Sequence, residues 1–309
     1  MTSPNPLDQK LPLTVVMPVL NEQANLAGAL ESVQLASEIF VVDSGSTDAT
    51  ATLAKRYGAR VFQFQYVPGG PKKKAWSLAH LPFSTDWALY LDGDERVTDS
   101  LWAEIRGVLK QTSCDGYYLD REFIFRGKPL RSYRPDWNLR LFRHDLASME
   151  DLGMNHLSGT GDNEIHEHFV LSGQTGFLVS PLLHHDYRGI GPWVERHNKY
   201  ATWEAHLYRR FRNEDAVLRL ADLRNPISRN RLLRRIWVRL PGRPVLRFLI
   251  WYFGKRALLD GWCGLQYSFL MAWYEMIIGF KVTELNRMSI AEVATGERPH
   301  PPTYAASPR

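Results

Sequence analysis

Trp87-Ala88-Leu89-Tyr90-Leu91-Asp92-Gly93-Asp94-Glu95-Arg96 is the stretch whose reading decides the fold. An apolar, strand-compatible run stops at two aspartates separated by one glycine. Such a run reads as a buried strand whose carboxyl end delivers both carboxylates into a cleft. Glycine between them lets a polyanion or a metal approach the backbone. Two carboxylates this close repel unless a cation neutralises them, and oxygen ligation suits Mg²⁺ or Mn²⁺. The competing reading of these residues by themselves is a solvated Asp-Gly turn.

Upstream, Leu13-Thr14-Val15-Val16-Met17-Pro18-Val19 reads as another buried strand, closed by Leu20-Asn21-Glu22. Residues 24–33 carry apolar side chains at helical spacing, and Glu38-Ile39-Phe40-Val41-Val42-Asp43 is a second strand ending in a carboxylate. Ser46 or Thr47 is expected to cap a helix running to about residue 57. A third strand spans 59–64, a helix starts at Lys72-Lys73-Lys74, and another runs from about 98 to 109. Strands alternating with helices imply βαβ units and an α/β fold with a mainly parallel central sheet. Asn21/Glu22, Asp43 and Asp92/Asp94 then share the carboxyl edge, where open α/β sheets bind ligands. GxGxxG and GxxxxGK[ST] are absent, so a diphosphate here needs a metal and basic side chains.

The 309 residues suit one large domain or a domain with an appendage, and 44% hydrophobic with 23% charged residues describe a globular chain. The net charge of +5 is uneven: between Arg209 and Arg256 stand fourteen Lys/Arg against three Asp/Glu. That excess points to an anionic surface. Cys114 and Cys263 form no metal or disulfide pattern, which favours a reducing compartment. Residues 1–10 lack the basic-then-apolar order of a secretory signal, so a cytoplasmic location is expected.

Beyond Asp115 short strands are expected at 117–119, 122–125, 138–142, 169–171 and 176–179, closing over the cleft, with a glycine-rich loop at 153–161. The apolar segments 245–253 and 261–280 fall short of the roughly 20 residues that span a bilayer. Aromatic residues beside arginines suit helices lying in a membrane interface, although packing on the catalytic domain is the plainer alternative. The expected division is a disordered start at 1–12, a catalytic domain at 13–190, a helical membrane-associating region at 191–285 and a disordered tail at 286–309.

Val16-Met17-Pro18-Val19-Leu20-Asn21-Glu22, Val41-Val42-Asp43-Ser44-Gly45-Ser46-Thr47-Asp48 and Leu91-Asp92-Gly93-Asp94-Glu95-Arg96, in this order, resemble family-2 glycosyltransferases of the GT-A fold. The chain looks most like the branch holding bacterial lipopolysaccharide inner-core β-1,4-glucosyltransferases. Arg134-Pro135-Asp136-Trp137-Asn138-Leu139-Arg140-Leu141-Phe142-Arg143, Ile165-His166-Glu167-His168, Leu182-Leu183-His184-His185-Asp186-Tyr187 and Leu258-Leu259-Asp260-Gly261-Trp262-Cys263-Gly264-Leu265 resemble its later blocks. The branch usually has Asp-Ala-Asp where Asp92-Gly93-Asp94 stands, and Lys73-Lys74-Ala75 replaces a Gln-Lys-Asn element, of which only Lys74 carries over.

The resemblance implies an inverting transferase that moves a hexose, glucose first, from a UDP-sugar to a lipopolysaccharide-core or other lipid-linked acceptor. Asp43 would bind the base, where a carboxylate can accept the uracil N3–H, with Pro18 and Glu22 shaping the pocket. Lys74 and Arg140 would meet phosphate, with Arg134 and Arg143 as further basic candidates. Asp94 would contact the metal directly, Asp92 the ribose or a metal-bound water, and His166 or His184 would complete the shell. Inversion needs a general base. The family pattern favours Glu167, with Glu164 in reserve, although strand alternation sets Glu164, His166 and His168 on the side opposite Glu167. Expected partners are the UDP-sugar, the acceptor and the inner face of the cytoplasmic membrane, with peripheral attachment. No nucleic-acid recognition motif accompanies the basic region. The rivals are a polyprenyl-phosphate sugar transferase and a non-catalytic nucleotide-sugar-binding scaffold of envelope assembly.

Overall fold

The computed structural model describes residues 9–67, 69–111, 113–150, 168–213 and 226–295. The chain opens with β1 (Leu11–Val19), α1 (Leu26–Ser32), β2 (Ala36–Asp43), α2 (Thr50–Arg56), β3 (Arg60–Gln63), α3 (Lys73–His80) and β4 (Trp87–Tyr90). These are the expected βαβ units. β1 is buried on both faces, because Leu13, Val15 and Met17 enter one core while Val16 enters another with Phe40, Val42 and Tyr90. A strand covered on both sides reads as a continuous apolar run instead of an alternating one.

β5 (Glu95–Val97) and α4 (Asp99–Lys110) follow, the helix capped by Thr98, whose hydroxyl accepts from the Leu101 N–H at 3.2 Å. Then come β6 (Gly116–Phe125), β7 (Lys128–Pro129), β8 (Trp137–Arg143), β9 (Ala147–Met149), β10 (Phe169–Leu171) and β11 (Thr175–His184). Among the described residues the main sheet has the order β3-β2-β1-β4-β8-β6-β11-β5, with β7 on β6. It is parallel from β3 to β4. β8 runs antiparallel to both neighbours, and β6 pairs with β11 in parallel.

Several sequence expectations are corrected. The short strands at 117–119 and 122–125 are one ten-residue strand, β6, and 176–179 lies within the ten-residue β11. Paired parallel over most of their length, the two persist through polar residues that break the pattern in either one. Neither Ser46 nor Thr47 caps α2. Asp48 does the nearer work, its Oδ1 accepting from the Thr50 N–H at 2.9 Å. β1 begins at Leu11, so residues 11 and 12, expected to be disordered, belong to a strand.

The C-terminal part comprises α5 (Ile190–Asn213), α6 (Pro226–Trp237), α7 (Arg243–Leu249), which runs on through a π-helical turn to Gly254, and α8 (Gly261–Thr295). α8 continues past residue 285, the boundary expected for a disordered tail. Glu275, 1% exposed, interrupts its apolar face and accepts from Arg247 at 2.7 Å, Arg243 at 3.1 Å, Trp237 at 3.2 Å and Tyr208 at 3.3 Å. One carboxylate thus ties α5, α6, α7 and α8 together. Asp260 joins this region to the sheet domain, its carboxylate accepting the N–H groups of Arg131 (3.1 Å) and Ser132 (3.0 Å). Among the described residues no helix is long and apolar enough to cross a membrane.

Candidate functional site

The strand ladders set the site. Val19 stands opposite Asp43 in the β1–β2 ladder, and Val16 opposite Tyr90 in the β1–β4 ladder. Carrying the second register three residues forward brings Gly93 level with Val19, so Asp43 and the Asp92–Asp94 pair share one carboxyl edge. A Cβ on Gly93 would lie 3.0 Å from Glu22 Cγ and 3.4 Å from Val19 Cγ1. The glycine therefore admits the Glu22 side chain.

Asp43 is 2% exposed. Its Oδ1 accepts from the Ser46 N–H (3.0 Å) and hydroxyl (2.5 Å), and its Oδ2 from Gln63 (3.3 Å). A carboxylate has about four acceptor positions, so capacity remains. Pro18, half-buried, is one residue before the end of β1, opposite Val42.

Asp92 faces two cations, Arg140 Nη2 at 2.8 Å on Oδ2 and Lys74 Nζ at 3.2 Å on Oδ1. Burial alone would raise its carboxyl, but Arg140 and then Lys74 outweigh this and hold it well below the usual range. Arg140 is itself clamped by Glu95, which is fully buried, accepts from it at 2.8 Å and also takes the Asp92 N–H at 2.9 Å. Arg121 approaches the same Glu95 oxygen at 3.4 Å.

Asp94, 6% exposed, lies on the other side of Gly93. His184 Nε2 stands 3.3 Å from its Oδ2, and Arg188 Nη2 3.7 Å from the same atom. Burial opposes its ionisation, yet His184 draws the carboxyl below its ordinary value. The imidazole answers in kind: burial disfavours its charge, but Asp94 raises its pKa. Arg188 also reaches Glu22 at 2.7 Å and grips Asp186 through two 2.8 Å contacts. Asn25 donates to both Glu22 (2.8 Å) and Asp186 (3.2 Å). Burial first, then repulsion from Asp94, pushes the Glu22 carboxyl up to about 7 despite Arg188.

Pro18, Glu22, Asp43, Lys74, Asp92, Asp94 and Arg140 all belong to this edge, as does His184. Of the three arginines considered, Arg140 is the one that reaches Asp92. Arg134 is paired with Asp120 at 2.7 Å, while Arg143 stands opposite Trp87, at the far end of β4 from Asp92. Lys73, which matches no family position, turns inward and donates to the Val19 carbonyl at 2.9 Å. Glu164, His166 and Glu167 lie outside the described residues. The sequence reading passed over Glu95, Asn25 and Arg188. Glu95 stands inside the quoted Leu91–Arg96 motif and Arg188 directly follows the Leu182–Tyr187 block, but the partners that give them their place, Arg140 and Glu22, are distant in the chain.

The chemistry is that of a buried acidic pair flanked by fixed cations. Among the described residues no group of three or more His, Cys, Asp and Glu is placed to hold a metal. Asp94 and His184 offer two adjoining donors on one side, which fits an ion whose other positions go to waters and phosphate oxygens. Asp92, with a cation on each oxygen, fits an indirect role.

The profile described as Glycosyl transferase family 2 matches residues 14–161. The lipopolysaccharide core biosynthesis glycosyltransferase LpsC of Rhizobium meliloti is 32% identical over 205 residues, 63% of this chain and 71% of LpsC. An uncharacterized glycosyltransferase of Rickettsia typhi is 27% identical over 194 residues, 60% of this chain. The chain spans 64% of that relative's length, slightly under two thirds. Among solved structures, Staphylococcus aureus TarS 1-349 in complex with UDP-GlcNAc is similar at 14% identity, with 93% of each chain covered and a TM-score of 0.46.

Proposed function

Because this chain belongs to glycosyl transferase family 2, we propose that it moves a hexose, glucose first, from a UDP-sugar to a lipopolysaccharide-core or other lipid-linked saccharide, with inversion at the anomeric carbon. The observation that carries this reading is the convergence of Asp43, Asp92 and Asp94 with Lys74, Arg140 and Arg188 at one sheet edge. LpsC is named for lipopolysaccharide core biosynthesis, which supports the acceptor class.

Asp43 accepts the uracil N3–H, with Pro18 and Glu22 bounding that pocket. Asp92 takes the ribose hydroxyls or a metal-bound water, and Lys74 and Arg140 meet the diphosphate. Asp94 and His184, joined by His166 on the sequence reading, are the side chains to hold Mg²⁺ or Mn²⁺. Such an ion, when bound, supplies Lewis-acid stabilisation of the charge on departing UDP. Glu167, with Glu164 as the alternative, takes the proton from the attacking acceptor hydroxyl. Arg188, fixed by Asp186 and Glu22, keeps Asp94 oriented.

The protein attaches peripherally to the inner face of the cytoplasmic membrane. Supporting this are the exposed Val245, Leu249, Phe253, Leu258 and Leu259, with Lys255 and Arg256 beside them. Apolar insertion and attraction to anionic lipids add in such helices.

A nucleotide-sugar panel with Mg²⁺ or Mn²⁺, read by product mass, tests the activity. Wild type is expected to release UDP from at least one UDP-sugar, and Asp94→Asn to lose at least about a hundredfold in turnover. Full turnover by folded Asp94→Asn would reject the metal assignment. Failure of wild type with every donor would favour the binding scaffold.

A further inference from the structure

We infer that the cleft between the β11–α5 connection and α8 holds a hydrocarbon chain of the acceptor, so that the acceptor is an amphiphile whose chain lies beside the transfer site. This rests on the reading above that an acceptor meets its donor at Asp94.

The cleft has a volume of about 1040 Å³ and is walled by Phe123 and Phe125 of β6, Trp193 of α5, and Leu265, Leu270 and Trp273 of α8. That is the upper end of the size range of small-molecule sites, roughly 300–1,000 Å³. The polar groups of its lining are mostly engaged. Asp186 is held by Arg188 and Arg196, and Gln266 accepts from Arg126 at 2.8 Å. A saccharide placed inside would bury hydroxyls against ring and methyl carbons without partners, which is costly. An alkyl or prenyl chain loses nothing by that lining.

Two continuities identify whose chain it is. His185 and Asp186 line the cleft, and the His185 N–H donates to the Asp94 carbonyl at 2.9 Å. A chain seated there brings its head group to the candidate metal side. Trp262 and Phe269, 68% and 60% exposed, also line the cleft, and Trp262 closely follows the exposed Leu258 and Leu259 in the chain. A membrane-borne acceptor can enter by that face. Among the described residues of the lining Arg126 is the arginine, and Asp186 is neutralised by Arg188 and Arg196, so the lining suits an anionic head.

The test uses the full chain and cis-parinaric acid, a fluorescent 18-carbon carboxylate, as probe. Binding should saturate at one site and be displaced by alkyl phosphates, each added methylene strengthening displacement about fourfold until the cleft is filled. Maltose should displace nothing. Ile190→Arg and Phe269→Arg, both at exposed lining positions and checked by thermal melting, should weaken the probe at least tenfold, while Val245→Arg leaves it unchanged. Saturating UDP with Mg²⁺ should shift probe affinity at least threefold, because head group and donor meet. Non-saturable binding, wild-type affinity in both cleft variants, displacement by maltose, or indifference to bound UDP would each overturn the inference. UDP binding measured alone separates the two readings: if UDP fails to bind, the functional proposal falls, and the probe titration still judges the cleft.

Discussion

Asp92 and Asp94 are separated by one residue and sit in opposite surroundings. Arg140 and Lys74 neutralise Asp92, whereas Asp94 meets an imidazole and a more distant guanidinium. The difference comes from residues far along the chain, so the Asp-Gly-Asp motif alone carries no division of labour. Gly93 shows the same dependence. Alanine there would press on Glu22, which Arg188 and Asn25 hold in place. Gly93→Ala is therefore expected to cost about 1 kcal/mol by overpacking. Calorimetry should show a small fall in Tm, together with a weaker response of UDP binding to Mg²⁺ as Glu22 and its arginine shift. An unchanged Tm would mean that Glu22 has room to give. The acidic members of this site were legible in sequence because strand-end carboxylates stand out against apolar runs. Glu95 and Arg188 were not, since their importance lies in pairing across distances of 45 and 166 residues.

At the scale of elements, β1, β2 and β4 form where buried apolar runs demand them, and the helices between them are the short connections that parallel strands require. The C-terminal helices hold together differently. Glu275 sits in an otherwise apolar stretch of α8 and gathers donors from α5, α6 and α7. Breaking a buried ion pair from one side leaves its partner charged and uncompensated. Glu275→Gln should lower stability by about 3 kcal/mol, seen as a lower denaturation midpoint, with UDP binding retained by the sheet domain. A midpoint equal to wild type would mean that the two arginines find water on their own. His197 gives α5 a pH response. It donates from Nδ1 to the Trp193 carbonyl at 2.8 Å, stacks on the Trp193 ring, and meets Tyr274 of α8 edge-on. Burial, then Arg196, pushes its pKa down to about 4. The unfolded chain, titrating near 6.5, takes up the proton first as pH falls. Stability from this group is complete above about pH 6.5 and is lost progressively toward pH 4, by at most about 3 kcal/mol. His197→Phe should flatten the stability profile across that window. A slope identical to wild type would assign it to other groups.

For the molecule as a whole, a nucleotide-type sheet domain and a helical bundle meet along one aromatic seam, where Phe123, Tyr133, Trp251 and Tyr267 pack together. Phe123 of that seam also lines the cleft beside α8. Association with anionic vesicles should fall with added salt and fall further in Phe253→Ser, read by co-sedimentation. Salt-independent binding would remove the basic residues from the account. The sequence by itself determined the α/β class, the parallel strands β1 to β4, the carboxylates at their ends and the family. Those follow from local burial patterns and from residues close together in the chain. Only the tertiary structure decided that β8 runs antiparallel between β4 and β6, that Arg140 rather than Arg134 or Arg143 faces Asp92, and that His184 meets Asp94. Strand direction and side-chain pairing across a sheet are set by which surfaces bury one another, and no one-dimensional pattern encodes that choice.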